Sequence, residues 1–236
     1  MILITLDIDW ASDFTIKKVD EILKEKNIKA TWFVTHKSAY LKNLSKNRNY
    51  ELGIHPNFLS NTTQGKTPKE ILKKLKKIVP SAVSLRAHSL HQNSHLLSLY
   101  KDYGIKFDTS LLLYKTKNIK PHYHPLFELH RVPFFWEDDV EVYEKNPDWS
   151  FKSTKHIPGL KIYNFHPIHI ILNTNNMNDF KKIQKKIEVN SLNDETLQKY
   201  VNKKKGVKDI FLEILEFLQS KKTFTVNEVI KNRLSV

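Results

Sequence analysis

The sequence predicts an α/β fold built on a parallel sheet that is either open or closed into a barrel. Short runs of consecutive apolar residues alternate with amphipathic helical segments through the first half of the chain, as is typical of strands buried on both faces. The 236 residues are 40% hydrophobic, which is enough for a substantial core. Since no repeat, low-complexity linker or second core is recognisable, we expect a single domain over residues 1–236.

Elements of the first half follow from these apolar runs and from helix start and stop signals. Phe14–Lys26 has apolar residues at helical spacing, and Asp13 is positioned to cap this helix. Thr67 and Pro68 form a clear helix start, and that helix should end before Pro80. The other predicted helices are Lys37–Leu44 and His95–Tyr103, and the predicted strands are Ile2–Leu6, Ala30–Val34, Leu52–Ile54, Ala82–Leu85 and Ile105–Asp108.

The second half is less regular. Its predicted strands are Leu126–Pro133 and Lys161–Phe165. Residues 174–206 are polar and rich in lysine, which indicates a helical excursion or an insertion. Residues 207–236 are predicted to form C-terminal helices that cover one end of the fold. These helices are Asp209–Lys221 and Val226–Leu234.

Composition limits the chemistry. Because the chain has no Cys, disulfides, thiolate metal sites, iron–sulfur clusters and Cys nucleophiles are excluded. Any metal must be held by His, Asp, Glu or neutral oxygen ligands, and the 11 His make such a site realistic. The formal charge of +14 comes mainly from lysines on predicted helical surfaces, and only four of the 39 basic residues are arginine. We therefore interpret these lysines as residues that solvate the helical surfaces, and we predict no specific nucleic-acid partner. The alternative interpretation is that the positive charge attracts anionic substrates or membrane surfaces.

The sequence also indicates a location. No segment approaches the roughly 18 apolar residues of a membrane span, so no transmembrane segment is expected. The N-terminus begins with a strand-like run and lacks the basic start and small-residue cleavage site of a signal peptide. The expected location is the cytoplasm.

Polar residues at predicted strand ends are the first candidates for a site. Asp7 and Asp9 project to the same side at the carboxyl end of the first strand, where α/β folds place catalytic groups. Two carboxylates this close either separate their pKa values or share a cation, unless one caps a turn and the other is solvated. His55 follows another strand and forms with Asp9 a partial site for a divalent cation. A loop hydrogen bond is its alternative role.

Two later strands are followed by similar candidates. Arg86 can hold a carboxylate or a substrate anion, and His88 faces the same way if the strand continues. His166 follows the last apolar strand and is a candidate general acid, because the pKa of histidine lies near neutrality. His91 is expected on the surface.

An acidic cluster follows the predicted strand that precedes residue 134. Glu137 and Asp138 are expected to orient a catalytic group or to bind sugar hydroxyls. Trp136 offers an aromatic face on which a sugar can stack. His169 is either a site residue or a packed histidine with a backbone partner.

The chain resembles the polysaccharide deacetylases, which are carbohydrate esterase family 4 with NodB homology. Residues 27–35 read NIKATWFVT and are similar to the family's strand G-I-K-A-T-F-F-V-T, while residues 51–55 resemble its E-I-G-x-H segment. The D-x-D, H-P-N-F and R-A-H-S-L-H-Q segments are most similar to the WbmS-like branch found in O-antigen loci. The resemblance covers residues 2–170, and its further matches are Leu85–Arg86, Tyr103–Asp108 and Asn164–His166.

This resemblance implies a distorted (β/α) barrel and the metal-dependent removal of an N-acetyl or other acyl group from a sugar. Carried over, Asp7 is the general base, His166 the general acid, and Arg86 orients the base. Asp9 and His55 would bind a divalent metal, with Zn²⁺ as the expected ion. The expected substrate is an acylated amino sugar or a sugar-containing precursor in surface-polysaccharide biosynthesis.

The sequence departs from the family pattern at three positions. Ile8 separates the paired aspartates, Leu59 stands where the family has its second metal histidine, and His88 replaces a proline. We therefore hypothesise that His88 supplies the third metal ligand, with Asn57 or a water as the alternative.

Other functions remain open from the sequence alone. A haloacid-dehalogenase-type phosphatase would use Asp7 as nucleophile, Asp9 as acid and base, and residues 137–139 for Mg²⁺. That fold favours Thr or Val where this chain has Ala11. A catalytically inactive glycan-binding domain is the other alternative, and Leu59 is its main support.

Overall fold

The computed structural model describes residues 1–188 and 191–231. The expected α/β fold is confirmed, because in these residues nine strands form one curled sheet that carries helices. The strands are β1 (Ile2–Asp7), β2 (Ala30–Val34), β3 (Tyr50–Ile54), β4 (Ser84–Leu85), β5 (Phe107–Asp108), β6 (His122–His124), β7 (Leu129–Arg131), β8 (Trp136–Glu137) and β9 (Lys161–Phe165). The helices are α1 (Asp13–Glu25), α2 (Leu41–Lys46), α3 (Pro68–Ile78), α4 (Ser94–Tyr100), α5 (Asp138–Glu141), α6 (Pro167–Leu172), α7 (Met177–Gln184), α8 (Asp194–Tyr200), α9 (Val207–Leu218) and α10 (Glu228–Lys231).

The sheet has the order β6-β7-β5-β4-β3-β2-β1-β9-β8, and only the β6–β7 pair is antiparallel. The extended segment 129–137 joins the two ends of its curve, since it pairs with β5 at its beginning and with β9 at its end. Between these pairings the Phe134 N–H donates to the Leu111 carbonyl, and the Phe135 N–H donates to the Ile162 carbonyl. One segment therefore closes the parallel strands into a distorted barrel.

The middle of the sheet is buried on both faces. Every residue of β2 and β9 is buried, as expected for parallel strands covered by helices and filled by side chains. The largest fully buried side chains include Trp32, Trp136 and Tyr163. Because this core fixes the strands, their carboxyl ends are rigid positions for functional groups.

Helix starts were predicted with two errors, and one is that α2 begins at Leu41 and not at the predicted Lys37. The side chain of Thr67 caps α3 as expected. Asp13 does not cap α1: the N–H of Thr15 donates to Oγ of Ser12 at 3.3 Å. Asp13 is instead the first residue of that helix, and its carboxylate accepts a hydrogen bond from Ser38.

Later elements depart more from the prediction. The predicted strand 126–133 is shortened to β7, because a 3₁₀ turn at Pro125–Phe127 and a left-handed Glu128 precede it. Residues 174–206 contain α7 and α8. The last predicted helix, Val226–Leu234, is present as α10. The final residues of that predicted range lie outside the described residues. Among the described helices, none is long and apolar enough to cross a bilayer.

Candidate functional site

Polar side chains from five strands meet at the carboxyl edge of the barrel, following β1, β3, β4, β8 and β9. They surround a cavity of about 70 Å³. The lining residues are Asp7, His55, Arg86, Ala87, His88, Ser89, Leu90, Glu137, Asp139 and His166. The location agrees with the general placement of active sites in parallel α/β folds.

Asp9, His55 and His88 form a cluster at this edge, which we call the metal cluster. Oδ2 of Asp9 lies 3.2 Å from Nε2 of His55 and 2.9 Å from Nδ1 of His88, and these two nitrogens are 3.3 Å apart. Two imidazole nitrogens and one carboxylate oxygen are a donor set suited to zinc with an open coordination position. Asn57 makes a different contact, because its Oδ1 accepts the N–H of Leu59 at 3.0 Å.

Electrostatics within the metal cluster favour positive charge beside its carboxylate. Burial opposes ionisation of Asp9, but the charge of His55 and hydrogen bonds from His55 and His88 hold the pKa of Asp9 well below its usual range. Burial lowers the pKa of His55, whereas the charges of Asp7 and Asp9 outweigh burial and raise that pKa. A cation would therefore compete with a proton for Nε2 of His55.

Asp7 is held by hydrogen bonds at both carboxylate oxygens. Nη1 of Arg86 donates to Oδ1 at 3.1 Å, and Nδ2 of Asn164 donates to Oδ2 at 2.8 Å. Nδ2 of Asn164 also donates to Oε1 of Glu137 at 2.9 Å. The amide oxygen of Asn164 accepts from Arg86 and from Thr5, so the amide has a defined orientation. These contacts fit a carboxylate that must stay fixed while it accepts a proton.

Arg86 is buried in an aromatic sandwich. Its Cζ lies 4.7 Å from the ring centroid of Phe33 and 4.4 Å from that of Phe134. Gly53 permits this packing: a Cβ there would lie 2.7 Å from the Phe33 ring and 2.8 Å from the Ser84 carbonyl oxygen. The guanidinium is thus fixed from both faces and directed at Asp7.

His166 is held from behind by Asp138. Nδ1 of the imidazole lies 2.7 Å from Oδ1 of Asp138, and the backbone N–H of His166 donates to Oδ2 at 2.7 Å. Nε2 lies on the side of Asp139, 3.8 Å from its Oδ2. Burial lowers the pKa of His166, but the charges of Asp139 and Asp138 more than compensate and raise this pKa well above its ordinary value. The imidazole is therefore suited to donate a proton.

Two of the three residues predicted to bind substrate have other roles. Trp136 is 0% exposed and its indole N–H donates to Glu141 at 2.9 Å, so the prediction that it offers a stacking face is wrong. Asp138 is also 0% exposed, and both of its oxygens contact His166, so it holds that imidazole and is not free to bind hydroxyls. Glu137 lines the cavity, and burial raises its pKa to about 7 against the opposing charge of His166.

Sequence reasoning gave Asn164 no role in the site, and it considered Asp139 only as part of the acidic cluster and of the alternative Mg²⁺ site. Asn164 precedes His166 by two residues, so strand alternation was a usable signal that both side chains point to the same side. Asp139 accepts from Nε2 of His169 at 2.9 Å. His169 is buried, and its other nitrogen lies 3.0 Å from the hydroxyl of Thr174, so its partners are side chains.

Comparisons with known proteins concern the family and the fold of this chain. The sequence model of the family "WbmS-like: Polysaccharide deacetylase" matches residues 4–184. The crystal structure of a protein from Bordetella bronchiseptica, assigned as a polysaccharide deacetylase involved in O-antigen biosynthesis, is 30% identical. Its TM-score is 0.82, and the match covers 92% of this chain and 90% of that chain.

Two more distant structures share the fold. One is assigned as a polysaccharide deacetylase from Mycobacterium smegmatis, with 15% identity, a TM-score of 0.58 and coverage of 98% of this chain and 90% of that chain. The other is the Bc1960 peptidoglycan N-acetylglucosamine deacetylase, with 15% identity, a TM-score of 0.51 and coverage of 97% and 86%. No curated protein matches this chain.

Proposed function

Because this chain belongs to the WbmS-like polysaccharide deacetylase family, we propose that it is a metal-dependent hydrolase acting on an acylated sugar. The reaction removes an N-acetyl or other small acyl group from a precursor in surface-polysaccharide biosynthesis. One observation carries this proposal. The metal cluster borders the same cavity as Asp7 and His166, whose side chains are held in place by hydrogen bonds. The assignment of the Bordetella protein to O-antigen biosynthesis supports the choice of pathway.

Asp9, His55 and His88 are the residues that would hold the metal, for which Zn²⁺ is the expected ion. A divalent cation bound there would polarise the acyl carbonyl and lower the pKa of a water molecule. Asp7 acts as the general base, because Arg86 and Asn164 fix both of its oxygens at the cavity wall.

His166 acts as the general acid. Asp138 and Asp139 keep it protonated, so that it donates a proton to the leaving amine or stabilises the oxyanion. Removal of Asp7 or His166 is expected to reduce the rate by about 10²–10⁴, the usual contribution of acid–base catalysis.

Metal analysis of purified variants tests the proposal. Wild type should contain stoichiometric Zn²⁺ and release acetate from an N-acetylated sugar, and Asp9→Asn, His55→Ala and His88→Ala should lose both properties. His91→Ala is the matched control, because this exposed histidine lies three residues beyond His88. Full metal occupancy in His88→Ala would exclude His88 as a ligand.

Other results would favour the alternatives. Metal absent from every form, together with retained sugar binding, would favour a glycan-binding domain without turnover. Mg²⁺-dependent hydrolysis of a phosphate monoester would favour a phosphatase.

A further inference from the structure

Trp10 is a large aromatic residue at the cavity rim for which the proposed chemistry has no role. It directly follows Asp9, and its side chain is 43% exposed. Its ring centroid lies 6.5 Å from that of His88 and 6.1 Å from that of His166. The indole is therefore next to both the metal cluster and the general acid.

The backbone at Trp10 has a conformation that bulky residues rarely adopt. Its φ is 54°, at the third position of a turn in which the Ala11 N–H donates to the Ile8 carbonyl at 3.1 Å. Turns with positive φ at this position favour Gly or Asn, and a Cβ there costs free energy. Strain of this kind beside a catalytic cavity points to a function for the side chain.

The indole also borders a second, open depression of about 350 Å³. Its other lining residues are Ala11, Ser12, Asp13 and His36, and both Asp13 and His36 are exposed. A carboxylate and an imidazole can bind hydroxyl groups, while the negative charge of Asp13 disfavours a phosphate. An aromatic face beside such groups suits a ring with an apolar face and polar edges.

Building on the proposed function, we propose that Trp10 is the stacking platform for a sugar ring of the substrate. Asp13 and His36 bind the hydroxyl groups of that ring. The cavity of about 70 Å³ has room for a group of a few heavy atoms, since one water needs about 10–15 Å³ on this scale. The acyl group therefore enters the cavity, and the ring stays at the rim against the indole.

Fluorescence makes this platform measurable. Trp32, Trp136 and Trp149 are 0%, 0% and 4% exposed, so Trp10 is the indole that acrylamide should quench most readily. The probes are N-acetylglucosamine and N-acetylgalactosamine oligosaccharides, UDP as a sugar-free ligand, and 4-nitrophenyl acetate as a sugar-free substrate. The variants are Trp10→Gly, Trp10→Phe and, as a control that removes a distant exposed aromatic, Tyr123→Ala.

At least one oligosaccharide should protect Trp10 from acrylamide in the zinc-loaded protein. Trp10→Gly should bind that sugar about 10-fold more weakly, Trp10→Phe should retain most of the affinity, and Tyr123→Ala should match wild type. The melting temperature of Trp10→Gly should be equal or higher, since glycine relieves the positive φ. Hydrolysis of 4-nitrophenyl acetate by the control Tyr123→Ala should equal that of wild type.

Three results overturn the platform: unchanged sugar affinity in Trp10→Gly, protection by UDP alone, or no protection by any oligosaccharide. The deacetylase proposal is tested separately. Sugar binding through Trp10 without acetate release would contradict the deacetylase and leave the platform standing. Equal acetate release from an oligosaccharide by Trp10→Gly and wild type would contradict only the platform.

Discussion

The side-chain amide of Asn164 donates a 2.8 Å hydrogen bond to Oδ2 of Asp7 from the neighbouring strand. Replacement of Asn164 by Ala removes this donor and should lower kcat by about 10–100-fold, because a hydrogen bond to a charged group contributes about 1.5–3 kcal/mol. Acetate release and zinc content should be measured together. Asn164 is not a residue of the metal cluster, so zinc content should stay at the wild-type level. Loss of zinc together with activity would mean that Asn164 supports the metal cluster and not the base.

Asp138→Asn should shift the pH profile of the reaction. His166 has a raised pKa and stays protonated as the pH rises towards that value, so loss of an acidic partner lowers its pKa. The alkaline limb of kcat should therefore move to lower pH. Asp102→Asn is the control, because this carboxylate is exposed and distant in sequence from the site. An unchanged alkaline limb would argue against His166 as the acid.

Glu137→Gln should stabilise the metal-free protein at alkaline pH. Burial raises the pKa of Glu137 to about 7, so the folded state holds a proton that the unfolded state releases. This contribution to wild-type stability is fully present below the unfolded pKa and is lost as the pH rises through about 7. The variant should exceed wild type by about 2–4 kcal/mol in urea unfolding at about pH 8. The difference should vanish at about pH 4, and a constant difference at both pH values would contradict the prediction.

Gly53→Ala should affect both stability and activity. Its Cβ would press on the Phe33 ring, which packs on Arg86, so a loss of about 1–3 kcal/mol and a lower kcat are expected. Gly104→Ala is the matched control: its φ is +69° and no atom lies within 4 Å of the added Cβ. It should destabilise by about 1 kcal/mol and keep full activity. Thermal unfolding and acetate release compare the two variants, and equal activity in both would exclude a role of Gly53 in positioning Arg86.

The small cavity should restrict the acyl group. Formyl and acetyl groups should be removed, whereas butyryl should be removed at least about 10-fold more slowly. Leu90 lines the cavity, so Leu90→Ala should raise activity on the butyryl substrate. Leu126→Ala is the control, because Leu126 is 73% exposed and does not line the cavity. Unchanged selectivity in Leu90→Ala would show that another feature limits acyl size.

The strand ends that carry the candidate site were predictable from sequence because apolar runs stop where polar residues begin. Asp7, His55, Arg86 and His166 all follow such runs. His88 was predicted to face the same way if the strand continued, but β4 ends at Leu85 and His88 begins a 3₁₀ turn that still places it beside Asp9. These are local signals, and the core of the barrel preserves them.

The burial of the Trp136 side chain could not be predicted from local sequence signals. Its side chain faces the core because segment 129–137 passes from β5 to β9, and these pairings connect residues far apart in sequence. A strand of two residues is also too short for alternation to reveal which face is buried. The position of the Trp10 side chain was not predictable either, because it depends on a positive φ that bulky residues rarely adopt.

The closure of the barrel affects which property, turnover or ion binding, a damaging substitution would remove. Asp9, His55 and His88 all precede residue 89, whereas Glu137 and Asp138 lie at the end of the closing segment or directly after it. A substitution that disrupts this closing segment, for instance at Phe134, should abolish turnover and leave binding of the ion intact. The reverse phenotype, turnover without ion uptake, is not expected from any lesion. Loss of catalysis through damage to the closing segment would therefore leave a protein that is still expected to bind the ion.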